Sequence, residues 1–122
     1  MDRFDIRIMG RRSGKTTKLQ QLIEEEVTKG ESKVIAMTVT HNCLNNLTRD
    51  ISKETKLSNN YSGLSFRSIG AAGLRLRLKG IQNIKIFFDE IYLLDNIELD
   101  SLAMLIEENR NIELISYTSY RQ

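Results

Sequence analysis

Two short groups in this chain are suited to chemistry: Gly14-Lys15-Thr16 and, about seventy residues later, the adjacent carboxylates Asp89-Glu90. A glycine at 14 lets the backbone approach an anion. Successive peptide N–H groups then point at that anion, and a helix beginning there adds the positive end of its dipole. In the pattern G-x-x-x-x-G-K-[ST] the lysine reaches the β- and γ-phosphates of a nucleotide and the hydroxyl ligates Mg²⁺, which are the roles of Lys15 and Thr16. Gly10, Arg11, Arg12, Ser13 and Thr17 complete the expected nucleotide-binding loop. The pattern asks for glycine at 9, and the chain has Met9 with Gly10 one place late. Asp89 is suited to hold Mg²⁺ directly or through water, and Glu90 to orient and deprotonate an attacking water. Each group has a plainer alternative: a Gly/Lys/Thr-rich turn opening an ordinary helix, and a strand ending in an acidic turn. Their pairing favours the nucleotide reading.

These groups need strands that end beside one another and a helix that starts at the loop. Phe4, Ile6 and Ile8 alternate as a strand. Lys15 to Lys29 reads as a helix with Leu19, Leu22, Ile23 and Val27 on one face, stopped by Gly30. Val34 to Val39 is a continuous apolar run, the pattern of a buried parallel strand. Thr40 is placed to cap a helix running to about Glu54, with Cys43, Leu44, Leu47 and Ile51 inward. Ser58 to Gly63 reads as a turn. Within Leu64 to Gly80, Leu74-Arg75-Leu76-Arg77-Leu78 alternates like a strand, and a loop or short hairpin fits as well. Ile84 to Phe88 is a buried strand that delivers Asp89 and Glu90 to the carboxyl edge of a sheet, where open α/β folds bind ligands. Asp95 to Asn109 reads as a helix with Ile97, Leu102, Leu105 and Ile106 inward, and Ile112 to Tyr117 as a strand. That strand ends in Thr118-Ser119, hydroxyls placed to meet a γ-phosphate or its attacking water, or an ordinary polar strand end.

At 122 residues the chain is expected to be a single domain spanning 1–122. Apolar residues at 40% and charged residues at 28% are ordinary for a globular protein. No apolar run approaches membrane-spanning length, and Met-Asp-Arg-Phe-Asp carries no secretory pattern. Cys43 is the single cysteine, which excludes an internal disulfide and a cysteine-built zinc site. A cytoplasmic setting is expected, the host cytoplasm if the chain is phage-encoded. The net charge of +2 hides an asymmetry. Lys56, Arg67, Arg75, Arg77, Lys79 and Lys85 share a stretch without acids, and acids dominate from Asp89 to Glu113. Such a split marks either a basic surface for a polyanion or ordinary solvated faces.

Gly10-Arg11-Arg12-Ser13-Gly14-Lys15-Thr16, Asp89-Glu90 and Thr118-Ser119 together resemble the ATPase domain of phage large terminases and, more broadly, the additional-strand P-loop ATPases that include helicases. The resemblance implies a three-layer α/β P-loop NTPase fold with a mainly parallel sheet of about four core strands, minimal or truncated. It implies ATP and Mg²⁺, hydrolysis associated with nucleic acid, and contact of Arg11 with the γ-phosphate. Glu90, Lys15 and Arg11 would then be catalytic, and Thr16 and Asp89 would hold the metal. The basic run near Leu76-Arg77-Leu78-Lys79-Gly80 is similar to that family and makes Arg67, Arg75, Arg77 and Lys79 candidates for DNA contact. The chain departs from the family in Met9, in having only eight residues before it, and in lacking a following nuclease domain, which points to a fragment, split product or minimal relative.

Ser13 to Leu19 also resembles the loop of thymidine-kinase-like enzymes, whose zinc-bearing lasso has no counterpart here. A nucleotide-binding subunit with little activity of its own is the third reading. His41 is expected to be solvated or near a helix cap, and Cys43 to be a small buried residue. Tyr61, Phe66, Tyr117 and Tyr120 are too sparse among basic residues to argue base stacking. The resemblance implies the parallel order Val34–Val39, Ile84–Phe88, Ile112–Tyr117, Phe4–Ile8. The first strand is then an edge, which explains Asp5 and Arg7 within it and predicts an oligomer or a partner protein.

Overall fold

The computed structural model describes residues 3–10 and 13–120, so Arg11 and Arg12 lie outside the described residues. The chain is α/β. Its five strands are β1 (Phe4–Ile8), β2 (Lys33–Thr38), β3 (Tyr61–Ser65), β4 (Ile84–Asp89) and β5 (Ile112–Thr118). They form one parallel sheet in the order β1-β5-β4-β2-β3. The four expected strands fall in the expected order, with β5 between β4 and β1. The sheet has one strand more than expected, because β3 occupies much of the predicted turn over 58–63 and pairs with β2 from Val34↔Tyr61 to Thr38↔Ser65. Its sequence, YSGLS, hides the strand, since glycine is a poor strand former. Gly63 lies against Leu44 of the helix that follows β2: a Cβ there would stand in ordinary contact, 3.5 Å from a Leu44 methyl and 3.4 Å from the Tyr61 hydroxyl.

Helices cover both faces. On one side α1 (Lys15–Lys29) and α2 (His41–Thr48) bury Leu19, Ile23, Val27 and Leu47 against Val34, Ala36, Phe87 and Tyr117. On the other, α4 (Phe66–Leu78) and α5 (Asn96–Glu108) bury Leu74, Leu78, Leu102, Leu105 and Ile106 against Ile35, Met37, Ile86, Phe88 and Leu114. β2 and β4 bury apolar side chains toward both sides, as central parallel strands do, and Lys85 of β4 pairs with Glu26 of α1 at 3.2 Å.

The single helix expected from Thr40 to Glu54 is two. Thr40 does cap α2, its hydroxyl accepting from Cys43 N at 3.3 Å. Ser52 then caps a separate turn, α3 (Lys53–Lys56), and its own N–H is taken by Glu24 of α1 at 2.7 Å. Ile51 stays buried across the break, so the apolar periodicity ran on where the helix did not.

The stretch over 74–78 is helix, not strand, loop or hairpin. Leu74 and Leu78 lie one turn apart and are buried, while Leu76 is 74% exposed. An alternating Leu/Arg run satisfies both periods, and the partner surface decided between them. At Gly70 α4 turns through φ 66°, ψ 176°, a conformation reserved for glycine.

Asp95 caps α5 and forms a reciprocal box with Glu98. Ile97, expected inward, is 79% exposed; Leu99 takes its place against the core. At the far end the Arg3 guanidinium donates to the carbonyls of Ile106 and Asn109, both at 2.7 Å, and of Ile112 at 3.1 Å. The guanidinium thereby ties the end of α5 to the start of β5, beside the backbone bonds Asn109 N to Ile106 O and Ile112 N to Asn109 O.

Among the described residues β1 pairs only with β5. Phe4 and Ile6 pack toward α4 and α5. Asp5 and Arg7 face the other way, where the Arg7 guanidinium binds Asp5 at 2.9 Å and lies 5.6 Å from the centre of the Tyr117 ring. No described helix is long and apolar enough to cross a membrane.

Candidate functional site

Because every strand is parallel, the carboxyl ends of β1, β4 and β5 open on one edge, and the start of α1 lies on it. Gly14 precedes that helix at φ 76°, ψ 23°, a left-handed conformation that suits glycine and strains any other residue. The first intrahelical bond runs from Lys18 N to Gly14 O at 3.0 Å. The N–H groups of residues 15–17 therefore lack helical partners, no side chain caps them, and the first turn holds no acid. An uncapped helix start with a lysine at its first position is a seat for an anion.

Met9 packs against the α1 side of the core, and its N–H bonds Thr118 O at 2.9 Å, extending the ladder between β1 and β5. Gly10 has open space around it and no left-handed φ. The conformational need for glycine falls on position 14.

β4 brings Asp89 to face α1. Thr16 Oγ1 donates to Asp89 Oδ2 at 3.4 Å, and Asp89 Oδ1 is buried with no hydrogen-bond partner among the described residues. Burial first, then the charge of Glu90, push the Asp89 carboxyl up to about 6, with Lys15 and Thr16 opposing. A buried carboxylate with one oxygen unpaired, next to a threonine hydroxyl, suits a hard divalent cation. Mg²⁺ takes one or two protein oxygens and fills its other positions with water and phosphate, so Asp89 and Thr16 are a sufficient protein set.

Glu90 turns out of the strand at φ 59°, ψ 52°, the sole non-glycine residue with positive φ among those described. Such a backbone costs about 1–2 kcal/mol and persists only where its surroundings hold it. Here its N–H binds Tyr117 O and its carbonyl accepts from Leu93 N, both at 3.0 Å. Its side-chain Oε1 accepts from Ser119 N at 2.7 Å and stands 4.0 Å from Lys15 Nζ. Loop lysine, metal-suited aspartate and candidate base thus meet at one edge, delivered by three different segments.

Thr118 does not face this edge with a free hydroxyl. It is buried, accepts from Tyr92 N at 3.3 Å and donates to Ser119 O at 3.2 Å. The useful group at this strand end is the Ser119 backbone N–H, which side-chain chemistry could not announce. The Ser13 hydroxyl is buried without a partner among the described residues, and Thr17 is exposed.

The four basic candidates differ in their pairing. Arg67, at the carboxyl-edge end of α4, pairs with Glu98 at 3.2 Å, and Arg75 pairs with Glu108 at 2.9 Å. The charge split along the sequence is largely α4 answering α5. Arg77 and Lys79 are exposed and pair with no acid among the described residues. Lys79 borders a cleft of about 700 Å³ with Leu76, Leu105 and Ile112, at the opposite edge of the sheet, whose lining holds no acid, hydroxyl, thiol or imidazole. His41 is exposed at the start of α2, and Cys43 is half-buried.

Neither protein-family models nor curated proteins match the chain.

Proposed function

We propose that the chain binds ATP with Mg²⁺ and hydrolyses it, as a P-loop NTPase of the additional-strand class working alongside nucleic acid in the manner of terminases and helicases. The observation that carries this reading is the meeting of Lys15, at an uncapped helix start, with Asp89 and Glu90 at one sheet edge. The strand order, with β5 between the loop strand and the carboxylate strand, also supports it.

In this reading the N–H groups following Gly14 cradle the phosphates, and Lys15 leaves Glu90 to bind the β- and γ-phosphates. Asp89 and Thr16 would hold Mg²⁺, which neutralises charge on the phosphate oxygens. Glu90 accepts a proton from water as the water oxygen bonds to the γ-phosphorus and the bond from that phosphorus to the bridging oxygen breaks, giving ADP and inorganic phosphate. Glu90 then returns its proton to solvent or to phosphate. Arg11 is assigned the γ-phosphate in cis. DNA contact, where it occurs, falls to Arg77 and Lys79, because Arg67 and Arg75 are already neutralised. The open edge of β1 suits a second chain.

The test measures ATP·Mg²⁺ binding and phosphate release with and without DNA, beside phosphate transfer to thymidine. Phosphate release that requires Mg²⁺ supports the proposal. Transfer to thymidine without hydrolysis replaces it with a kinase, and binding without turnover under every condition replaces it with a nucleotide-binding subunit.

A further inference from the structure

Glu90 carries the proposed proton abstraction on a side chain that could swing freely, yet one of its oxygens is already held. We propose that the backbone N–H of Ser119 positions Glu90 for catalysis, fixing Oε1 and leaving Oε2 to take the proton of the attacking water. The inference rests on the hydrolytic reading above.

The geometry is specific. Ser119 N lies 2.7 Å from Glu90 Oε1, the short distance of a charge-assisted bond. Lys15 also stands near that oxygen, at 4.0 Å, but in a hydrolytic cycle it is drawn to the phosphates. Ser119 N–H is then the hydrogen-bond donor that remains on the carboxylate among the described residues. The peptide that supplies it is itself restrained, since its carbonyl, Thr118 O, accepts from Met9 N at 2.9 Å, and the Thr118 hydroxyl on one flank donates to Ser119 O while accepting from Tyr92 N. Glu90 is restrained from its other side by the bond of its N–H to Tyr117 O. Residues 117–119 therefore grip Glu90 at both backbone and side chain, and the left-handed turn at Glu90 directs its carboxylate toward that grip. The placement of the base thus depends on the carboxyl end of β5, the strand that β1 joins at the edge of the sheet.

Ser119 acts through Glu90, so it is a positioning residue, and the test removes the N–H alone. Residue 119 is replaced by an α-hydroxy acid, which converts its amide to an ester; Ser119→Pro, which also lacks the N–H, is the encoded alternative. The expected result is a fall in kcat on the order of 10²-fold, with KM and ATP·Mg²⁺ affinity little changed. In a Glu90→Gln background the ester is expected to add no further loss to the slow residual single-turnover rate that this variant keeps. Ser119→Ala keeps the N–H and is expected to retain more activity than the ester variant. Unchanged kcat in the ester variant, equal losses in the ester and alanine variants, or a further loss in the Glu90→Gln background each overturn the inference. Absence of turnover in the unsubstituted chain overturns the hydrolytic reading itself, and this inference with it.

Discussion

Thr16 and Asp89, 73 positions apart in the chain, meet at 3.4 Å through a hydroxyl that donates to a carboxylate. The contact joins the first turn of α1 to the end of β4, and so brings the loop and the paired carboxylates to one place. It also leaves Asp89 half-satisfied among the described residues: one oxygen bonded, the other buried and unpaired.

Lys15→Ala is expected to abolish ATP binding, because it removes the charge that faces the phosphates. Glu90→Gln should bind ATP·Mg²⁺ as before and lose turnover, because it removes the base and not the metal ligand. Equilibrium binding and phosphate release separate the two. Wild-type turnover in Glu90→Gln would remove Glu90 from the mechanism.

Arg11→Ala should slow hydrolysis by up to ~10³–10⁵-fold while leaving ADP affinity near its starting value, if the guanidinium meets the γ-phosphate. Comparing single-turnover rates with ADP titrations checks it. Equal loss of ADP and ATP binding would make Arg11 a loop-shaping residue.

Asp89 makes stability depend on pH with a determined sign. Its carboxyl titrates near 6 in the fold against 3.8 for the free side chain, so the folded chain holds the proton more tightly. The stability tied to this group is fully present below pH 3.8 and is lost as the pH rises through 6. Asp89→Asn should therefore stabilise the chain by on the order of 2 kcal/mol at neutral pH and by little at pH 4, while weakening nucleotide binding that needs Mg²⁺. Thermal melts across this range decide it; equal effects at both pH values would contradict the assignment.

Arg3→Ala should destabilise the fold by about 1–3 kcal/mol without changing ATP·Mg²⁺ affinity. The guanidinium ties the carbonyls of Ile106, Asn109 and Ile112 together, and the substitution removes these charge-assisted bonds while Ile106 O and Asn109 O keep their backbone donors, Asn109 N and Ile112 N. Urea unfolding beside a binding titration tests both halves of the expectation.

If DNA is bound, Arg77→Ala with Lys79→Ala should lower the dependence of log affinity on log salt by about two. Arg67→Ala and Arg75→Ala should change it less, since each guanidinium already faces an α5 carboxylate. Titrations at several salt concentrations measure the slope, and a larger effect from the paired arginines would reverse this order.

The residue types of the site, and the strand and helix that flank its loop, were legible in the sequence because they are local. Gly14-Lys15-Thr16 is a short pattern, α1 has an uninterrupted apolar stripe, and β2 and β4 are mostly apolar runs of strand length. The order of four strands followed from a family resemblance, and Asp5 and Arg7 in β1 agreed with an edge. Tertiary structure decided the rest, since the deciding partners are distant in sequence. The Leu/Arg alternation over 74–78 fits a strand or a helix until the sheet and α5 bury Leu74 and Leu78, one helical turn apart, and leave Leu76 exposed. The YSGLS stretch becomes a strand because β2 offers it an edge to pair with, from Val34↔Tyr61 to Thr38↔Ser65. Ile97 satisfies helical spacing yet points to solvent, because the sheet meets α5 along Leu99, Leu102, Leu105 and Ile106. The hold on Glu90 had no signal at all: its donor is a peptide N–H, which every residue but proline possesses, and only the folded chain brings that of Ser119 to the carboxylate.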